Sequence, residues 1–122
     1  MLSVVAALLG AKAVEAIDVS PAAADSTRHN SERNDVAGVV GVSTTRLRDV
    51  VGEFDVVVAN ILAPELVAMA PDLRRTPAPH GRLLISGILG GRHDLVLAAL
   101  RPMLPVGTTT LDEWEAVELA HP

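Results

Sequence analysis

Residues 54–66 read FDVVVANILAPEL. Asp55 to Ala59 form a short, nearly continuous apolar run, the pattern of a parallel strand covered on both faces. A strand of that kind needs helices on both faces of its sheet, which restricts the chain to an α/β architecture. Asn60 stands at the carboxyl end of the run, with the apolar Ile61 and Leu62 behind it. In open α/β sheets the ligand crevice lies just beyond the carboxyl ends of the strands, so a carboxamide there suits recognition better than packing.

The rest of the chain alternates in the same sense. Leu2 to Leu9 is an almost wholly apolar helix with Gly10 as its stop, and Ala13 to Val19 is a strand. Ser20 and Pro21 then read as N-cap and first helical residue of a polar-faced helix that ends at Asn34, a residue tolerant of a left-handed cap. Gly38 to Ser43 is a second strand, and a third lies within Val50 to Ala59. A helix entered through Pro64 runs to about Leu73 and is closed by Pro77, Pro79 and Gly81. Arg82 to Leu89 forms a fourth strand ending at Ser86 and Gly87. Arg92 to Met103 is a helix terminated by Pro105 and Gly107. Thr108 to Leu119 alternates around Trp114, as expected of a last antiparallel strand on the sheet edge. One α/β domain over residues 1–122, with a mainly parallel sheet and no internal repeat, is the expected organisation.

Composition removes several classes of function. A formal net charge of −5, with one Trp, one Phe and no Tyr, supplies neither a phosphate-binding footprint nor a base-stacking series, so direct nucleic-acid binding is not expected. A basic protein partner suits this charge better. Cysteine is absent, which removes disulfides, thiolate metal sites and Cys nucleophiles together. The opening MLSVVAALLGAKA lacks the basic residues of a signal peptide and is too short to span a bilayer, so the expectation is a cytoplasmic chain without a membrane segment.

Candidate chemistry is sparse. His29, His80, His93 and His121 have no metal-ligand spacing and read as surface residues, so no metal is expected. Ser86, between Ile85 and Gly87, lacks a nucleophile elbow. Arg46, Arg48, Arg74 and Arg75 read as solvated charges. Asp18 closes the first strand just before the helix cap, where a carboxylate can accept two ribose hydroxyls or can simply help to cap the helix. Asn60 can accept a hydrogen bond from a neutral amine and aim its lone pair, without a negative charge that would keep the amine protonated; the alternative is a turn-forming Asn.

Four segments stand in order: LSVVAALLGAKAVEAIDVSPAAADSTRHNSERNDV, FDVVVANILAPELVAMAPDL, GRLLISGIL and DEWEAVEL. Together they resemble the S-adenosylmethionine-dependent methyltransferases that modify large-subunit ribosomal protein eleven. The most specific piece is Val57 to Ala63, supported by Ser86 to Leu89 and by Glu32 to Asn34. The resemblance implies a Rossmann-like class I methyltransferase domain that moves a methyl group from S-adenosylmethionine to amino groups of a basic ribosomal protein. It implies a cofactor site with Asp18 on the ribose, Val19 and Ser43 beside it, and Asn60 at the methionine end. Asn60 would also be the catalytic residue, with Ile61 and Leu62 lining the substrate side.

The pattern departs from the family at its start. The family's first strand and Gly-x-Gly-x-Gly loop precede the opening helix, whereas Met1 stands just after that point and Gly10 lies at the helix's far end. Ser43 and Thr44 stand where related enzymes often place an acid for the adenine amino group. The expectation is therefore a C-terminal piece of the catalytic domain, inactive alone, with two strands left unpaired or wrongly paired where the first strand belongs. Two other readings are a fragment of an NAD-dependent oxidoreductase, through Asp18, and a non-catalytic, degenerate Rossmann-like binding module.

Overall fold

In the computed structural model, which describes residues 1–122, helix α1 (Leu2–Leu8) ends where Gly10 turns the chain at φ +108°. Backbone contacts divide the chain into two units, Met1–Val50 and Val51–Pro122.

In the first unit, β1 (Val14–Ile17) pairs in parallel with β2 (Val40–Ser43), Val14 opposite Val40 and Ile17 opposite Ser43. The crossover is α2 (Pro21–Arg33), which starts as its sequence dictates: Pro21 opens it, and Ser20 Oγ accepts the Ala23 N–H at 3.3 Å. Val4, Val36 and Val40 form the core, packed by Ala7, Val14, Ala16 and Val42. The left-handed residue after α2 is Asp35 (φ +57°) and not Asn34 (φ −105°). Asn34 instead turns its side chain back, donating from Nδ2 to Asn30 O at 2.8 Å, and so caps the helix without leaving the right-handed half of the map.

The second unit is a four-stranded mixed sheet in the order β3-β4-β6-β5. Its strands are β3 (Phe54–Asn60), β4 (Pro77–Leu89), β5 (Leu104–Leu111) and β6 (Trp114–Ala120). β3 runs parallel to β4, while β6 is antiparallel to both β4 and β5. Helices α3 (Ala63–Ala68), α4 (Ala70–Arg75) and α5 (His93–Ala99) complete it. Leu66, Leu73, Leu83, Ile85, Ile88, Val96, Leu100 and Leu119 are almost wholly buried and make its core.

Several expectations need correction. The single mainly parallel sheet is divided in two, β1 laddered only to β2 and β3 only to β4, so that two strands are left with an unpaired edge as expected. β3 is not covered on both faces either, since Val56 and Val58 are 58% and 49% exposed. The helix expected from Pro64 to Leu73 breaks at Met69, because Pro71 has no N–H for the carbonyl four residues back. Pro77 does not close a loop but opens β4, opposite Phe54, a position where a strand tolerates proline. The residues between Pro77 and Arg82 bulge out, and a Cβ on Gly81 would stand 2.8 Å from Phe54 O.

α5 ends at Ala99 rather than Met103, short of Arg101, whose position before Pro102 disfavours helix. Arg74 is not a free charge; its Nη1 donates to Ala99 O at 3.2 Å and Arg101 O at 2.8 Å, satisfying carbonyls at the end of α5. Pro105 and Gly107 fall inside β5, and it is β5 that takes the edge while β6 lies between β5 and β4. The turn between them passes through Asp112 at φ +54°.

Leu83 is fully buried at the centre of β4, opposite Val57 of β3 and Leu119 of β6. Leu83→Ala is expected to lower the unfolding free energy of the second unit by about 2–5 kcal/mol, read as a shift of the urea midpoint at unchanged slope.

Candidate active site

Parallel pairing brings the carboxyl ends of β1 and β2 side by side. The Asp18 N–H donates to Ser43 O at 3.2 Å, so two of the residues expected to hold a cofactor are neighbours. Asp18 Oδ1 accepts the Ser20 N–H at 2.9 Å in an Asx turn that leads into the Ser20 cap, and the second carboxylate oxygen is left for a ligand hydroxyl. Ser43 Oγ donates to Thr45 Oγ1 at 3.0 Å and accepts the Thr45 N–H at 3.4 Å. Val19 is 72% exposed beside them. An acidic residue, a hydroxyl and an uncovered apolar side chain thus cluster at one edge of the first unit.

In the second unit Asn60 ends β3 opposite Ser86 of β4. It borders an open cavity of about 730 Å³, lined also by Ile61, Leu62, Gly87, Trp114 and Glu115. The three residues expected there, Asn60, Ile61 and Leu62, therefore do share one site. Asn60 is exposed and its carboxamide makes no hydrogen bond within the chain. A turn-forming Asn would bond its own backbone two residues on, so the side chain is free for recognition.

The seat of that carboxamide is Gly87. β4 bulges between Ile85 and Ile88, and Gly87 takes φ +83°, a conformation that L side chains rarely adopt. A Cβ there would stand 2.7 Å from Ile61 O and 3.1 Å from Asn60 Oδ1. The glycine thus admits the backbone turn after β3 and the Asn60 side chain together.

Gly87, Trp114 and Glu115 were not identified as site residues from the sequence. The available signal was the single Trp of the chain, flanked by Glu113 and Glu115 at the start of an alternating strand. His93 was expected at the surface. It is half-buried, with Nδ1 2.7 Å from Glu115 Oε2 and Nε2 3.1 Å from Asp94 Oδ1. His121 is also engaged, its Nε2 lying 3.2 Å from Pro77 O, whereas His29 and His80 are exposed. On the other wall Glu65 Oε2 accepts the Leu62 N–H at 3.4 Å and caps the start of α3. No three His, Asp or Glu side chains are grouped to hold a metal ion.

Gly87→Ala is expected to cost about 1–3 kcal/mol through backbone strain and to move the Ile61 and Asn60 amide resonances, while those of the first unit stay in place. Unchanged resonances at residues 60 and 61 would show that Gly87 does not seat the carboxamide.

The family model described as ribosomal protein L11 methyltransferase (PrmA) matches residues 1–121. The ribosomal protein L11 methyltransferase of Citrifermentans bemidjiense is 44% identical over 122 residues, covering 100% of this chain and 40% of the relative. That of Symbiobacterium thermophilum is 41% identical, again with 100% and 40% covered. The chain thus spans about two fifths of the length of these relatives. Among solved structures, the ribosomal protein L11 methylase of Lactobacillus delbrueckii subsp. bulgaricus superposes with a TM-score of 0.92 at 28% identity, over 98% of this chain and 63% of that one. An RNA methyltransferase from Salinibacter ruber, solved with S-adenosyl-L-homocysteine, shares the fold at a TM-score of 0.77 and 16% identity, over 98% and 73%. A class I methyltransferase fold and a match along almost its whole length place this chain in the ribosomal protein L11 methyltransferase family.

Proposed function

We propose that this chain carries the acceptor side and part of the cofactor side of an S-adenosylmethionine-dependent methyltransferase, acting in the cytoplasm on amino groups of a basic ribosomal protein. The observation that supports this most directly is the unbonded Asn60 carboxamide at the mouth of a largely apolar cavity, at the strand end where this fold class receives ligands.

The donor set suits parts of the cofactor. Asp18, with one oxygen on Ser20 and one still available, would accept ribose hydroxyls, with Val19 and Ser43 beside it at the same edge of the first unit. When bound, S-adenosylmethionine supplies an electrophilic methyl carbon on its sulfonium. What the chain's own residues contribute is orientation. Asn60 Oδ1 accepts one N–H of a neutral amine and directs the nitrogen lone pair, while Ile61, Leu62 and Trp114 exclude water around it. A neutral acceptor matters because a carboxylate in contact with the amine would hold it in its protonated, non-nucleophilic form.

The test is calorimetric titration of S-adenosylhomocysteine into the 122-residue chain. Saturable binding is expected, weakened about tenfold by Asp18→Ala through loss of charge-assisted hydrogen bonds. Asn60→Ala is expected to weaken it less, because that carboxamide is assigned mainly to the acceptor amine. A folded chain that does not bind S-adenosylhomocysteine would count against this reading and favour a binding module descended from such enzymes.

A further inference from the structure

Strand β3 ends the four-stranded sheet, with β4 on one side and no ladder on the other. One contact fixes which of its residues face that open edge. The Phe54 N–H donates to Thr76 O, on the β4 side, and backbone groups alternate in direction along a strand. Phe54, Val56, Val58 and Asn60 therefore turn their amides and carbonyls to β4, while Asp55, Val57 and Ala59 turn theirs outward, where no strand meets them. Side chains divide the same way. Val57 lies opposite the buried Leu83, whereas Val56 and Val58 are half-exposed on the other face, which they share with Asn60. The remaining edges offer less: β1 and β2 have four residues each, and β5 carries Pro105 and an irregularity before Gly107. β3 has seven residues with no proline and no lysine.

In one register this edge is complementary to itself. Turned about a two-fold axis at Val57, two copies set Val57 opposite the partner's Val57 and Asp55 opposite the partner's Ala59, so every outward group meets another in a hydrogen-bonded pair. Val56 then faces the partner's Val58 at a non-hydrogen-bonded pair, where side chains stand closest, and both exposed valines gain an apolar neighbour. Charge selects this direction. In a parallel, in-register pair the two Asp55 carboxylates would lie about 5 Å apart, whereas the antiparallel pair separates them by four residue steps, about 14 Å and beyond the Debye length. We propose that β3 is a homodimerisation edge, through which two copies of this chain join their four-stranded sheets, antiparallel about Val57, into one continuous sheet. Asn60 keeps its place on the open face, three residues from the axis, so the pairing leaves its cavity unused.

The test is sedimentation equilibrium of the 122-residue chain over a rising concentration series at physiological ionic strength. The mass of two chains is expected, and Val56→Lys, at an exposed position, is expected to return it to that of one. The chain has no cysteine, so oxidative cross-linking reads the register directly. Val56 and the partner's Val58 stand about 4.5 Å apart at Cα in the proposed pair, within disulfide reach. Val56→Cys and Val58→Cys, each alone, are expected to give no disulfide-linked dimer, and an equal mixture of the two is expected to give one. A chain that stays single at every concentration, with no cross-link in the mixture, would overturn the proposal. So would a dimer indifferent to Val56→Lys, or one in which either cysteine variant cross-links with itself, the sign of parallel or shifted pairing. A single chain that instead takes up a strand-forming peptide of alternating valine and threonine would assign the edge to a different partner and remove the self-pairing. None of these readouts involves S-adenosylhomocysteine, so this inference and the methyl-transfer reading fail separately.

Discussion

Strand β4 is the only strand of this chain laddered to a parallel partner on one side and an antiparallel one on the other. Leu83, Ile85 and Ile88 are fully buried, so the apolar face of β4 is the centre of the second unit. Every feature of the Asn60 cavity is referred to this strand. Its Ser86 sets the height of Asn60, its bulge at Gly87 makes room for the carboxamide, and its Ile88 sets the height of Glu115. A strand held on both edges is rigid, and a site built from three adjacent strands inherits that rigidity.

The cavity combines two kinds of polar group with opposite requirements. Asn60 is an uncharged acceptor left unsatisfied by the chain, poised for a ligand. Glu115 is held from behind, its Oε2 2.7 Å from His93 Nδ1 and its side chain only 15% exposed.

Much of this was legible in the sequence. Ser20, Pro21 and Gly10 punctuate the chain where capping chemistry says they should, and the VVVA run of β3 announces a parallel strand ending at Asn60. The family resemblance follows from the same residues and is borne out. What could not be read was tertiary. Exposure of Val56 and Val58 depends on which neighbours a strand has, not on its own residues. Pro77, Pro105 and Gly107 looked like breakers because local propensity cannot see a ladder that tolerates them at a strand start or on an edge strand. Glu115 and His93, more than twenty residues apart, meet only because β6 returns beside β4.

The unpaired edge of β3 carries a further consequence, for the solubility of the chain. A flat row of free amides and carbonyls beside two half-exposed valines is the template on which identical chains stack into cross-β layers. Asp55 is the one charge within β3 that opposes such stacking, since like charges repel when strands align in register. Losing that one charge, as in Asp55→Asn, removes the safeguard and leaves a seven-residue strand segment prepared for fibril growth.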